Sequence, residues 1–223
     1  MLHELTKTVL LIVASLFPII NPPAAAFIIL SMVPHASPAE RAELARRIAI
    51  NSFVILLASL SIGAYLLSFL GISIAVLRVA GGFIIAMAGW NLLQSSGDDG
   101  SEAQPVAGGD STLRIKAFYP FTLPITVGPG SISVAITLGA HLPAELHESH
   151  LLSPRVLIAA IGGIVLICLI IYLCYLYARK AEQLLGRSGT SMVMRLSSFI
   201  LLCIGVQIIS TGIKAYLQTV GKI

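Results

Sequence analysis

Residues 19–28 read IINPPAAAFI. They sit in an apolar run from Thr8 to Val33, longer than the roughly 20 residues a helix needs to cross a bilayer. Pro22 and Pro23 have no N–H to give the carbonyls of Pro18 and Ile19, and their rings crowd the preceding turn. Asn21 stands before a proline and is pushed out of the helical region. Proline is well tolerated at the first helical position. The stretch therefore predicts one half-helix ending near Ile20 and a second starting near Pro22. In lipid, such a break survives only where it is buried in protein or lines a cavity.

The surrounding composition fits a membrane setting. Of 223 residues, 57% are hydrophobic and 11% charged, against about 25% charged in soluble domains. Mean hydropathy is +0.94. The expected fold class is an all-α integral membrane protein. The net charge of +4 suits positively charged loops on one side of a membrane rather than nucleic acid. Cys168, Cys174 and Cys203 lie in apolar runs without metal-ligand spacing and read as small core residues. The first residues, MLHELTKTVLL, have no A-x-A site, and the run after them is too long for a signal core, so it is expected to stay as a span.

Six runs are long enough to span: roughly 8–33, 48–70, 72–93, 117–141, 155–178 and 196–219. The second and third are separated only by the region of Gly71 and are expected to form a tight antiparallel hairpin. Residues 97–111, GDDGSEAQPVAGGDS, read as a polar linker between a first half, 1–96, and a second, 112–223. Loops after spans one, three and five, with residue 195 at the start of span six, hold nine of the fourteen basic residues, including Arg41, Arg46, Arg47, Arg179 and Lys180. By the positive-inside rule both termini lie outside and the linker in the cytoplasm.

The halves resemble each other. Span one carries FPIINPPAAAF and span four LPITVGPGSIS. Span three begins LRVAGGFIIAMAGWN and span six MRLSSFILLCIGVQ, each with an arginine early and an amide near the end. Three spans per half force opposite insertion, which gives a 3+3 inverted repeat of the kind found in secondary transporters. In span four, Pro124 and Pro129 free the carbonyls of Pro120 and Ile125, and Gly128 and Gly130 allow an unwound backbone. Helices one and four are thus expected to be discontinuous. A new helix start favours an anionic group and freed carbonyls a cation, so two facing breaks suit a zwitterion. The candidate substrate-binding residues are Asn21, Pro22, Pro23, Ala24, Thr126, Gly128, Pro129, Gly130 and Ser131.

On these stretches, FPIINPPAAAF, LRVAGGFIIAMAGWNLL and FTLPITVGPGSIS together with the amide-bearing last span, the chain resembles the MarC family of bacterial membrane proteins over nearly its whole length. The usual family pattern places a glycine soon after Asn-Pro, where this chain has Pro23-Ala24; the departure bears on substrate size rather than membership. The resemblance implies a multi-pass protein of the bacterial inner membrane, with both termini then periplasmic, and some relatives that carry neutral amino acids. The expected function is secondary transport of a small neutral amino acid, of glycine or alanine size, by alternating access. The alternatives are export of another small metabolite and a non-transporting membrane scaffold or regulator.

Remaining polar residues are weighed against that reading. All ten acidic residues lie outside the span centres, which argues against a carboxylate relay; coupling to H+ or Na+ would have to use backbone carbonyls. Asn91 and Gln207 are candidates for polar support, Arg78 and Arg195 for a gate charge or an interfacial anchor. Gly81, Gly82, Ala86, Gly162 and Gly163 would let helices approach closely. HLPAELHESH, 141–150, matches no metal-ligand spacing and reads as a solvated loop. No span core holds a histidine to activate a serine, so an intramembrane hydrolase is not expected, and neither an enzyme activity nor a cofactor or metal is assigned. The expected partners are the lipid bilayer and a small-molecule solute.

Overall fold

The computed structural model describes residues 2–95, 116–145 and 154–220. The linker at 97–111 and residues 146–153 lie outside these. The described chain is helical: α1 (Leu2–Ile20), α2 (Pro22–Met32), α3 (Pro38–Phe69), α4 (Ile74–Ser95), α5 (Ala117–Thr126), α6 (Pro129–Glu145) and α7 (Pro154–Val220). Helix α7 is two arms meeting at Gly186, whose φ of 66° lets the chain turn. By length and composition five helices can cross a membrane, or six if the bent pair α5–α6 is one span.

The helix ends follow from local chemistry. Asn21 alone separates α1 from α2; its φ of 48° and ψ of 59° are left-handed, a region asparagine tolerates better than most residues. The interruption is small enough that Leu5–Met32 still reads as one span of 28 residues. The α5–α6 junction is different in kind, with a bend of 69°. Helix α5 is π-type, and Tyr119 and Leu123, each before a proline, are extended at φ −126°, ψ 124° and φ −106°, ψ 124°. Helix α3 opens with a capping box: Ser37 Oγ accepts from the Glu40 N–H at 3.2 Å and Glu40 Oε2 accepts from the Ser37 N–H at 2.7 Å. It closes at Gly71 (φ 70°), with the N–H of Ile72 reaching Leu67 O and that of Gly71 reaching Ser68 O.

Packing overturns the expected hairpin. Helices α3 and α4 diverge after their short connection: α3 rests on α6 and α7, α4 on α7 and α6. Glycines decide the partners. A Cβ at Gly63 would collide with Ile136 and one at Gly139 with the Leu60 carbonyl, locking α3 to α6. Gly82, Gly89, Gly205 and Gly212 lock α4 to the second arm of α7 through the pairs 82–209, 89–202, 86–205 and 79–212, so these two elements run antiparallel. Gly163 admits Ile12 of α1 onto the first arm of α7, whereas Gly162 meets Val9 only at ordinary contact distance. Close approach at small residues is the means by which helices associate in lipid, where no hydrophobic force drives them together. The buried core (Ile12, Leu16, Leu56, Leu60, Phe121, Ile164, Ile167) runs between α1, α3, α5 and the first arm of α7. Cys168 belongs to it, Cys174 is half-buried, and Cys203 faces outward rather than inward as the sequence suggested.

Candidate functional site

The chain interruption at Asn21 and the α5–α6 junction open into one cavity of about 290 Å³. Asn21, Ala24, Thr126, Gly128, Pro129, Gly130 and Ser131 line it, joined by Ile84, Ile85 and Ala88 of α4 and Leu201 of α7. Pro22 and Pro23 do not reach it; Pro22 is buried and Pro23 half-buried behind Asn21.

Asn21 stands out chemically. Its side chain is 8% exposed, and its Nδ2 is buried with no hydrogen-bond partner. Its backbone is satisfied, the N–H reaching Phe17 O at 2.9 Å and the carbonyl accepting from Ala25 at 3.0 Å. A buried amide donor left unpaired costs about 1–3 kcal/mol, so the position is held against a penalty that a ligand would remove.

Thr126 connects the cavity lining to a set of hydrogen bonds outside it. The sequence YPFT-LPIT, 119–126, writes one tetrapeptide pattern, x-Pro-x-Thr, twice. Each threonine hydroxyl serves a carbonyl five residues back: Thr122 donates to Ala117 O and Thr126 to Phe121 O, both at 2.7 Å. Neighbouring helices join this set from outside the lining, Asn51 Nδ2 donating to Thr122 Oγ1 at 3.4 Å and the Tyr175 hydroxyl meeting Thr126 Oγ1 at 2.6 Å. Sequence reading passed over Asn51, Thr122 and Tyr175. The doubled tetrapeptide was the available signal for Thr122, whereas Asn51 and Tyr175 come into reach only through tertiary packing. Ser131, in the first turn of α6, donates to Gly128 O at 2.9 Å, and Ser133 to Gly130 O at 3.0 Å. Gly130 faces Ile85, with no room for a Cβ between them. The start of α6 thus meets the cavity at Pro129, Gly130 and Ser131.

Other candidates lie elsewhere. Asn91 and Gln207 have exposed side chains outside the cavity. Arg78 meets the His141 ring nitrogen and lines a second cavity. Arg195 borders a shallow groove with Ser188 and Ser191. The arginines are therefore not brought together. Of the histidine-rich stretch, His147, Glu148 and His150 lie outside the described residues. Among the described residues no group of three or more His, Cys, Asp or Glu comes together as a metal site.

These features define a class: a multi-pass helical membrane protein with a small cavity among its helices. The model of the MarC family integral membrane proteins matches residues 6–217. An Escherichia coli inner membrane protein MarC is 30% identical over 221 residues, covering 97% of this chain and 98% of the relative. Its Salmonella typhimurium counterpart is 27% identical over the same shares, and a UPF0056 membrane protein of Pyrococcus abyssi 29% identical over 95% and 96%. No solved structure matches. The chain belongs to the MarC family of integral membrane proteins.

Proposed function

We propose that the protein is a secondary transporter of the inner membrane that carries a small neutral amino acid through the Asn21–Gly130 cavity by alternating access. The observation that carries this reading is the shared cavity with its unpartnered, buried Asn21 amide. A volume of about 290 Å³ lies just below the roughly 300–1,000 Å³ typical of ligand pockets, which favours a solute of glycine or alanine size. The two ends of such a solute have matching surroundings. The start of α6 favours a carboxylate. The carbonyl of Ile19, which lines the cavity and whose partner four residues on is Pro23, favours an ammonium group. The absence of a charged side chain from the cavity lining fits a solute without net charge.

The inverted repeat belongs to the same proposal. Its third and sixth spans must run opposite ways, and the antiparallel seam between α4 and the second arm of α7 supports this. Discontinuous spans at matching places would supply the site, as they do in other carriers. The test is counterflow of labelled glycine, alanine and serine in proteoliposomes, with Asn21→Leu and Gly130→Leu alongside, each checked for folding. Saturable counterflow lost in both variants is expected. No flux of any of the three under H+ or Na+ gradients would remove the amino acid assignment and favour export of another metabolite or a scaffold role.

A further inference from the structure

A second cavity of about 390 Å³ lies between α1, α4, α6 and the second arm of α7. Its lining separates from that of the central cavity along every shared element. On α1 it takes positions 14–19, where the central cavity takes 19–20 and, across the interruption, continues to 28; on α4 it takes 78 against 84–92. On α6 it takes 133–138 against 129–131, and on α7 it takes 204–211 against 201. The order runs one way on α1 and α4 and the other way on α6 and α7, so the cavities are stacked along the bundle, the second nearer the Gly71 turn and His141. The one residue that lines both is Ile19. At the same level α4 and α6 touch, with Ser133 filling the space where Gly81 lacks a side chain, and Gly82 sits on the Gly205 carbonyl. A thin layer built on Ile19 therefore divides two rooms.

The second room has its own chemistry. Arg78 is the charged side chain in its lining, beside Ser15, Ser133 and Thr137. Thr137 Oγ1 is buried without a hydrogen-bond partner. Arginine offers five donors in a planar fork that matches a carboxylate, and His141 takes one of them. Arg78 sits in the second turn of α4, half-buried, where its guanidinium can meet a solute entering between the helices.

We propose that this cavity is an outer vestibule in which Arg78 receives the carboxylate end of the solute, and that Ile19 is the gate between it and the central site. The ligand class rests on the transport reading above; the gate does not.

The experiment is sided cysteine labelling in reconstituted vesicles. Cys168, Cys174 and Cys203 are first replaced by serine. Single cysteines are then introduced as Thr137→Cys or Ala24→Cys, and a membrane-impermeant maleimide is added on the face that carries the termini. Position 137 is expected to react and position 24 to stay protected. Adding Ile19→Ala should speed labelling at position 24 about tenfold, a factor equal to about 1.4 kcal/mol in the opening equilibrium, and leave position 137 unchanged. Ile19→Val should act in the same direction with a smaller effect if Ile19→Ala does not fold. Glycine should slow labelling at position 137, methylamine should not, and Arg78→Gln should abolish the glycine effect. An unreactive position 137, or equal rates at position 24 with and without the Ile19 changes, would overturn the gate. Equal protection by methylamine and glycine would overturn the carboxylate site. Labelling follows geometry and needs no flux, so missing glycine counterflow with this pattern intact would count against the transport reading alone.

Discussion

Asn21 carries two demands that pull in different directions. Its backbone is left-handed, where a residue with a Cβ pays roughly 1–2 kcal/mol. Its buried amide donor goes unmatched. Glycine would remove both penalties, so stability alone does not explain an asparagine here. Asn21→Gly is expected to stabilise the folded protein by about 1 kcal/mol while abolishing glycine counterflow; the two readouts are unfolding in detergent and flux. Asn21→Leu should lose flux and stability together, because a branched apolar side chain resists positive φ. A glycine variant that still transports would show that the amide is not a ligand. The identity of this residue was legible in the sequence because Asn-Pro-Pro in an apolar run conflicts with a plain helix. Its left-handed geometry was not, since a residue before proline is ordinarily extended.

Helix α5 shows how a run with two prolines remains ordered inside a membrane protein. Threonine hydroxyls add donors to the Ala117 and Phe121 carbonyls in a run where two prolines remove N–H groups, and Tyr175 braces the second threonine from α7. Thr126→Val strands both the Phe121 carbonyl and the Tyr175 hydroxyl and should cost about 1–3 kcal/mol. Tyr175→Phe should cost less, and the double variant less than the sum, which chemical unfolding of the four proteins in a mutant cycle would measure. At the start of α6, Gly130→Ala should push Ile85 aside and lower flux, and Ile85→Ala in the same chain should restore it. A double variant no better than the single would mean that the space itself does not govern activity. The helix ends at Ile20, Pro22 and Pro129 can be read from the prolines alone. The π geometry cannot, because it is accompanied by threonine bonds within the helix and by contacts from Asn51 and Tyr175 that only tertiary packing supplies.

At the scale of the molecule, adjacency in sequence misleads. A short connection at Gly71 suggests neighbours, yet α3 and α4 part company because their glycine faces fit other helices. Small residues told which helices would approach closely without telling which partner each would meet. The seam between α4 and the second arm of α7 is backbone against backbone: a Cβ at Gly205 would collide with the main chain of Ala86. Side-chain repacking cannot relieve that contact, so Gly205→Leu should cost well over the 1–3 kcal/mol usual for overpacking and be seen as loss of monodisperse protein in detergent. Reporter fusions active only outside the cytoplasm should signal from both ends of the chain, as the basic-residue bias requires. Reporters silent at both ends would invert the orientation and put the Arg78 vestibule on the cytoplasmic side.

The way α3 lies on α6, and α1 on the first arm of α7, also sets a timetable. The ribosome finishes α3 and α4 long before the residues that complete their contacts exist. Until α6 and α7 are inserted, the grooves at Gly63, Gly82 and Gly89 face lipid and the first helices have few lasting neighbours. Assembly must therefore wait for the end of translation, and a chain released after Ser95 is a natural target for membrane proteases.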